Sequence, residues 1–141
     1  MMDMLSNAME TARKFYGNDD YYHAMRVAAY VSENGMVPCD SIGICAVLAV
    51  IHDLPKNSQF DYHRDFCGSI CKPYIYECLK ILAWDKKDTY EDYIKNIKRN
   101  RGIYPEAYWV KIADIKDHLI QKETLEDGAR EKYIAALLQL L

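Results

Sequence analysis

The feature that most restricts the fold is the apolar segment Ile42–Ile51, which runs directly into His52, Asp53, Leu54 and Pro55. A segment this apolar, with no polar face, predicts a helix that is buried on all sides. A short apolar run is also compatible with a buried strand, but no neighbouring segment has a strand pattern, so a helix is favoured. Pro55 disfavours helical geometry at the residue before it, which places His52 and Asp53 at the C-terminal end of this central helix.

The rest of the chain has helical periodicity that is interrupted by short breaks. Amphipathic spacing predicts helices over about residues 3–16, 19–34, 69–84, 90–100, 105–119 and 125–141. Asp19 or Asp20 is expected to cap the second helix, Thr89 to open a capping box, and Pro105 to lie in a first helical turn. Residues 56–68 are polar and turn-like, and they predict a loop over a site. With only 6 glycines and 4 prolines, the 141 residues indicate one all-α domain of six to eight helices.

Composition excludes several classes of partner. The 18 basic and 21 acidic residues are interspersed, and a net charge of -3 gives no electrostatic reason to expect nucleic acid. A small phosphorylated ligand remains possible because it needs only a local cluster of positive charge. No segment resembles a signal peptide or a membrane span, so the expected location is the cytoplasm. The 5 cysteines include no C-x-x-C pair and are interpreted as buried or half-buried thiols.

The most informative polar residues are those at the end of the central helix. An ionised carboxylate such as Asp53 is costly to desolvate there, so it needs a cation, a donor network or water. A divalent metal could be that cation, since imidazole and carboxylate are both ligands for zinc, manganese or iron. His23 on the preceding helix and Asp114, a second carboxylate inside an otherwise apolar stripe, are further polar residues in apolar surroundings. The alternative is a group of hydrogen-bonded core residues that binds no metal.

The order His, His-Asp, Asp across three helices resembles the HD superfamily of metal-dependent phosphohydrolases. The similarity is carried by residues 22–28 (YHAMRVA), 46–53 (AVLAVIHD), 89–94 (TYEDYI), 111–114 (KIAD) and 131–133 (EKY). Within that superfamily it is nearest to the hydrolase domain of RelA/SpoT-type proteins and their small stand-alone relatives. The resemblance covers nearly the whole chain and implies a single HD domain over 1–141, with a metal bound by His23, His52, Asp53 and Asp114. It also implies manganese as the metal, with iron, zinc, nickel or magnesium as alternatives, and guanosine tetra- or pentaphosphate as substrate.

The chain differs from that subgroup at the residues that take part in its reaction. The subgroup has an acidic Glu-Asp pair after its His-Asp, and here Lys56 and Asn57 stand in its place. Lysine is a poor general base unless its pKa falls by several units, and Asn57 can orient a water but cannot take its proton. The segment before His23 is acidic where the subgroup tends to be basic, and His118 stands where the subgroup often has Asn.

Three interpretations of the function stay open. The first is a phosphohydrolase whose metal generates hydroxide without the acidic pair and which acts on an alarmone or on a different nucleotide. The second is a catalytically degenerate protein that binds a nucleotide or phosphate in a regulatory role. The third is a purely structural use of the histidines and aspartates. In the first two, Lys56, Asn57, His118 and Tyr133 are expected to form the substrate side of the site. The sequence does not predict the oligomeric state.

Overall fold

The computed structural model describes residues 4–66, 71–121 and 127–141, and over these residues it contains helices and no strands. The α-helices are α1 (Met4–Phe15), α2 (Asn18–Glu33), α3 (Ile42–Ile51), α4 (Tyr62–Asp65), α5 (Lys72–Leu82), α6 (Tyr90–Arg99), α7 (Pro105–Ile120) and α8 (Asp127–Leu140). Two short 3-10 turns, Leu54–Lys56 and Asn100–Gly102, lie between them. The prediction of an all-helical bundle of six to eight helices is confirmed.

Helix α3 lies at the centre of the bundle, as its uninterrupted apolar sequence predicts. It packs against α1, α2, α5 and α7, and its residues from Cys45 to Ile51 are all buried. The chain leaves the helix at His52, and Pro55 lies in the 3-10 turn Leu54–Lys56 that follows in place of a further helical turn. Helices α2 and α7 both pack against α3 and against each other. This arrangement fixes which side chains can approach His52 and Asp53.

Most predicted helix boundaries agree with the structure. The Thr89 hydroxyl accepts a hydrogen bond from the backbone N–H of Asp92 at 3.1 Å, which caps α6, and Pro105 begins α7. The prediction that Asp19 or Asp20 caps α2 is wrong. Gly17 occupies the cap position without a side-chain bond, and both carboxylates lie in the first turn, where the helix dipole favours negative charge.

The segment predicted as a polar loop, residues 56–68, contains the short helix α4. The Asp61 carboxylate caps it by accepting hydrogen bonds from the backbone N–H groups of His63 and Arg64. Tyr62 and Phe66 belong to the hydrophobic core, and Phe66 is fully buried. The loop prediction is wrong for Tyr62–Asp65 because two core-facing aromatic residues are too few to produce a recognisable periodicity. The expected start of the next helix at residue 69 lies outside the described residues.

Two of the cysteines are core residues, as interpreted from the sequence. Cys45 on α3 and Cys78 on α5 are fully buried, and burial raises the pKa of both thiols to about 12. Cys71 is half-buried, Cys67 lies outside the described residues, and the interpretation is wrong for Cys39, which is exposed. In the parts of the chain that the structure describes, no helix has both the length and the apolar character needed to cross a bilayer.

Candidate metal centre

Three helices bring the four candidate ligands together. His23 comes from the first half of α2, His52 and Asp53 follow α3, and Asp114 lies in the second half of α7. One ligand atom from each of the four side chains lies within 4.8 Å of the other three. His23, His52 and Asp114 are buried and Asp53 is half-buried, so the group is largely shielded from solvent.

The two imidazoles present the same nitrogen to the carboxylates. His23 Nε2 lies 2.9 Å from Asp114 Oδ1 and 3.7 Å from Asp53 Oδ2. His52 Nε2 lies 3.3 Å from each of the same two oxygens. Two imidazole nitrogens and two carboxylate oxygens therefore converge on one small volume. This donor set suits manganese, iron, zinc or nickel, and it fits the metal expected from the sequence.

Each histidine is held by its other nitrogen. Nδ1–H of His52 donates to the carbonyl oxygen of Ala49 at 2.5 Å, and Nδ1–H of His23 donates to Asp117 Oδ2 at 2.6 Å. Asp117 is itself fixed by Arg26, whose Nε and Nη2 donate to its two oxygens at 2.7 and 3.0 Å. Because the acceptors hold a proton on each Nδ1, Nε2 is the nitrogen through which each histidine would bind a metal, which would displace any proton on it. An acceptor behind the imidazole is the usual arrangement around metal-binding histidines.

Opposite charges stabilise one another in the cluster. Burial alone would lower the pKa of His52, but the carboxylates of Asp53 and Asp114 outweigh it and raise that pKa to about 10. Burial would raise the pKa of Asp53, yet the adjacent His52 holds it below its ordinary value. Burial would raise the pKa of Asp114 as well, but Lys111 and the surrounding histidines hold it well below its ordinary value. Both carboxylates are therefore ionised at neutral pH, as metal binding requires.

Two supporting residues were not found by sequence reasoning. Asp117 lies three residues after Asp114, and this spacing, which places both on one face of α7, is the signal that could have identified it. Tyr16, just after α1, positions the other aspartate. Its hydroxyl accepts from the backbone N–H of Asp53 at 3.2 Å and donates to the carbonyl of Val50 at 2.9 Å. Nothing in the sequence around Tyr16 indicates this role.

A cavity of about 510 Å³ opens beside the cluster and is partly lined by His52, Asp53 and Asp114. Lys56, predicted on the substrate side, lies at its wall with Nζ 3.0 Å from Asp53 Oδ1. The cavity is large enough for a nucleotide-sized molecule.

His118 and Tyr133 also line this cavity, as their predicted role requires. Their rings stack with centroids 4.6 Å apart and an interplanar angle of 3°. His118 Nε2 lies 3.4 Å from Asp114 Oδ1, so this histidine borders the metal-ligand cluster directly. The pair joins α7 to α8 at the edge of the cavity.

Asn57 is the one predicted substrate residue that the structure does not bring to the cavity. Its Nδ2 donates to the carbonyl of Phe15 at 3.2 Å, and its Oδ1 accepts from the backbone N–H of Gln59 at 2.9 Å. The side chain thus ties the 3-10 turn to the end of α1. A role for Asn57 in binding substrate stays a prediction without a supporting contact.

Lys111 is buried, although its sequence context is typical of an exposed helix lysine. Its Nζ lies 2.9 Å from Asp114 Oδ2, and the ammonium lies 5.0 Å from the centre of the Tyr93 ring. Burial would lower the pKa of Lys111, but Asp114 raises it well above its ordinary value, so it stays charged. The residue places a fixed positive charge between the metal-ligand cluster and the cavity.

Comparison of the chain with protein-family models, with curated proteins and with solved structures found no match. The assignment of a function therefore depends on the site itself.

Proposed function

We propose that this protein is a metal-dependent phosphohydrolase of the HD type, acting on a nucleotide or a guanosine tetra- or pentaphosphate-like substrate. One observation carries the proposal: four donor atoms from three helices converge beside a cavity with lysines in its wall. The anchored Nδ1 atoms of His23 and His52 support a metal at that point, because they leave both Nε2 atoms available.

The residues of the site would have separate roles in phosphate hydrolysis. When bound, a divalent metal supplies Lewis-acid polarisation of a phosphate oxygen and lowers the pKa of water. Lys56 and Lys111 would neutralise the negative charge of a phosphate beside the metal ligands. The stacked rings of His118 and Tyr133 would orient the rest of the ligand along the cavity wall. The deep position of Asp114 and His52 would limit the access of bulk water.

A catalytically degenerate binding protein is the second candidate, and one observation favours it. Among the described residues that line the cavity, Asp53 and Asp114 are the only carboxylates. Both belong to the proposed metal ligands, so neither is free to act as a general base. In this alternative, Lys56 contributes charge for binding and the nucleotide is not hydrolysed.

The test is the release of phosphate or pyrophosphate from guanosine tetraphosphate and from nucleoside triphosphates, with manganese and with a chelator. We expect manganese-dependent turnover by the wild-type chain and none by Asp53→Asn, which keeps the shape of the side chain but removes its charge. Binding of the same nucleotides without turnover would support the degenerate alternative. Equal turnover by both proteins would show that the activity does not come from this site.

The contact between Asp117 and His23 gives a separate prediction. Asp117→Ala is expected to weaken manganese binding by about 10- to 100-fold, the usual cost of losing an acceptor behind a metal-binding histidine. Arg26→Gln is the matched control, because it removes the ion pair to Asp117 and leaves the Asp117–His23 hydrogen bond. Isothermal titration with manganese measures both. An affinity of Asp117→Ala equal to that of the wild type would contradict the orienting role of Asp117.

A further inference from the structure

Helix α8 carries a stripe of large apolar side chains on its outer face. Ile134, Leu138 and Leu141 are 44, 70 and 73 % exposed. Their spacing of four and three residues places them on one face, and the hydrogen bond from the Leu141 N–H to the Leu137 carbonyl extends the helical spacing to the last of them. Single exposed apolar residues are ordinary, whereas a contiguous group of large ones marks an interaction surface.

The C-terminal end of α8 is fixed to the rest of the bundle. The Lys98 ammonium donates to the Gln139 carbonyl at 2.8 Å, and the Tyr108 hydroxyl donates to the Leu140 carbonyl at 2.8 Å. The Leu140 side chain is itself buried in the core. The apolar stripe therefore belongs to an anchored helix, which can pack against a partner without first paying the entropy of becoming ordered.

An open groove of about 650 Å³ lies beside this stripe, between α6 and α8. Ile94 lines it from α6, and Ala135 and Ala136 line it from α8. Ala135 directly follows Ile134 of the stripe, so the groove and the stripe are neighbours on the surface of one helix. The small alanine side chains leave room for the side chains of a second helix, as ridge-into-groove packing requires.

The groove and the stripe have complementary charges at their edges. Lys95 and Lys132 line the groove together with one carboxylate, Glu91, whose Oε1 lies 3.3 Å from Lys95 Nζ, so the groove has an excess of positive charge. Glu131 is exposed and, at 100° per residue, lies on the groove side of the stripe, whereas Arg130 lies on the other side. A second stripe entering the groove would thus bring a carboxylate towards the lysines.

The directions of α6 and α8 decide how a second copy would lie. The Tyr90 and Tyr133 rings are 6.3 Å apart, and Lys98 reaches the last turn of α8, so the two helices run in the same direction. Lys95 therefore lies towards the C-terminal end of α8, whereas Glu131 lies in its N-terminal half. The two charges meet only when the helix of the second copy is antiparallel. A two-fold axis across α8 produces this arrangement.

We propose that this face of α8 binds a second copy of the chain, with the stripe of Ile134, Leu138 and Leu141 packed into the α6–α8 groove of the partner. Because stripe and groove are neighbours on one helix, a single two-fold axis fills both grooves and covers both stripes. Glu131 of each copy then lies beside Lys95 of the other. The dimer requires neither a metal nor a nucleotide, so this inference is independent of the proposed function.

Sedimentation velocity of the full chain in metal-free buffer, from about 1 µM to about 1 mM, tests the dimer, for which we expect a micromolar dissociation constant. Leu138→Lys is expected to weaken association by at least about 100-fold, because it buries an unpaired charge in the interface. A lysine near the C-terminal end of α8 complements the helix dipole, so the fold is retained. Met36→Lys is the matched control, since Met36 is 72 % exposed and precedes α3.

A charge reversal tests the antiparallel arrangement. Glu131→Lys and Lys95→Glu are each expected to weaken the dimer by about 5-fold, because each places like charges opposite one another at the edge of the interface. The variant with both substitutions on one chain restores opposite charges and the affinity of the wild type. Tyr90 and Lys132 also line the cavity beside the metal-ligand cluster and are left unchanged. Circular dichroism checks that each variant retains its helices.

Each outcome supports or overturns the dimer. Association that is lost in Leu138→Lys, retained in Met36→Lys and restored by the combined charge reversal supports it, even if the protein binds no metal and hydrolyses no nucleotide. A wild type that stays monomeric throughout the concentration range overturns it. Association that is unaltered in Leu138→Lys, or lost equally in Met36→Lys, also overturns it. A combined variant as weak as the single ones contradicts the antiparallel packing.

Discussion

Replacing Lys56 by Glu and Asn57 by Asp is expected to raise manganese-dependent hydrolysis of guanosine tetraphosphate by about 10²- to 10⁴-fold, the usual contribution of a general base. Lys56 Nζ lies 3.0 Å from Asp53 Oδ1, so a carboxylate at position 56 would lie beside the proposed metal ligands. It could take a proton from water there, which a charged ammonium cannot do. Initial rates of pyrophosphate release measure the change.

Single substitutions show how much of this increase in the hydrolysis rate comes from each of the two positions. Glu at position 56 should account for most of the gain, because the Asn57 side chain is directed towards Phe15 rather than the cavity. Lys56→Gln is the matched control, since it removes the positive charge that Lys56 offers a phosphate without adding a base, and its rate should not exceed that of the wild type. A Lys56→Gln rate as high as that of the double variant would contradict the general-base explanation and attribute the gain to loss of the ammonium.

Leu48→Ala is expected to lower the free energy of unfolding by about 2–5 kcal/mol, the range for truncating a fully buried leucine. Leu48 is 0 % exposed and lies in the middle of α3, against which α1, α2, α5 and α7 pack. Its loss leaves a cavity that the neighbouring helices can close only in part. Urea denaturation followed by circular dichroism measures the difference.

Met36→Ala is the control for this second prediction. Met36 is 72 % exposed and its truncation should change the free energy of unfolding by less than about 0.5 kcal/mol. Equal stability of Leu48→Ala and Met36→Ala would contradict the central position of α3. The comparison is independent of any metal and therefore tests the fold alone.

The sequence predicted those parts of the fold that depend on local physics. The apolar run of α3, the proline at its exit, the Thr89 cap and Pro105 all act within one or two helical turns, and each is found where expected. Helix α4 was missed because its core contacts, through Tyr62 and Phe66, depend on distant residues. The resemblance to a known family supplied His23 and Asp114, which local reasoning could not have joined to His52.

The residues that the sequence failed to indicate act across the bundle. Asp117 is recognisable only once α2 places His23 and Arg26 against α7. Lys111 has the local sequence of an exposed residue, and it becomes a buried cation only because Asp114 and Tyr93 surround it. Such residues are specified by tertiary contacts rather than by periodicity.

The most direct test of the central claim is the metal content of the protein after incubation with manganese and removal of unbound ion, measured by elemental analysis. Asp53→Ala is the matched variant, because Asp53 is the least buried of the four candidate ligands and its loss disturbs packing least. The proposed centre predicts near-stoichiometric metal in the wild type and a loss of most of it in the variant. A wild type that retains no metal, or a variant that retains as much as the wild type, would contradict the metal centre formed by His23, His52, Asp53 and Asp114.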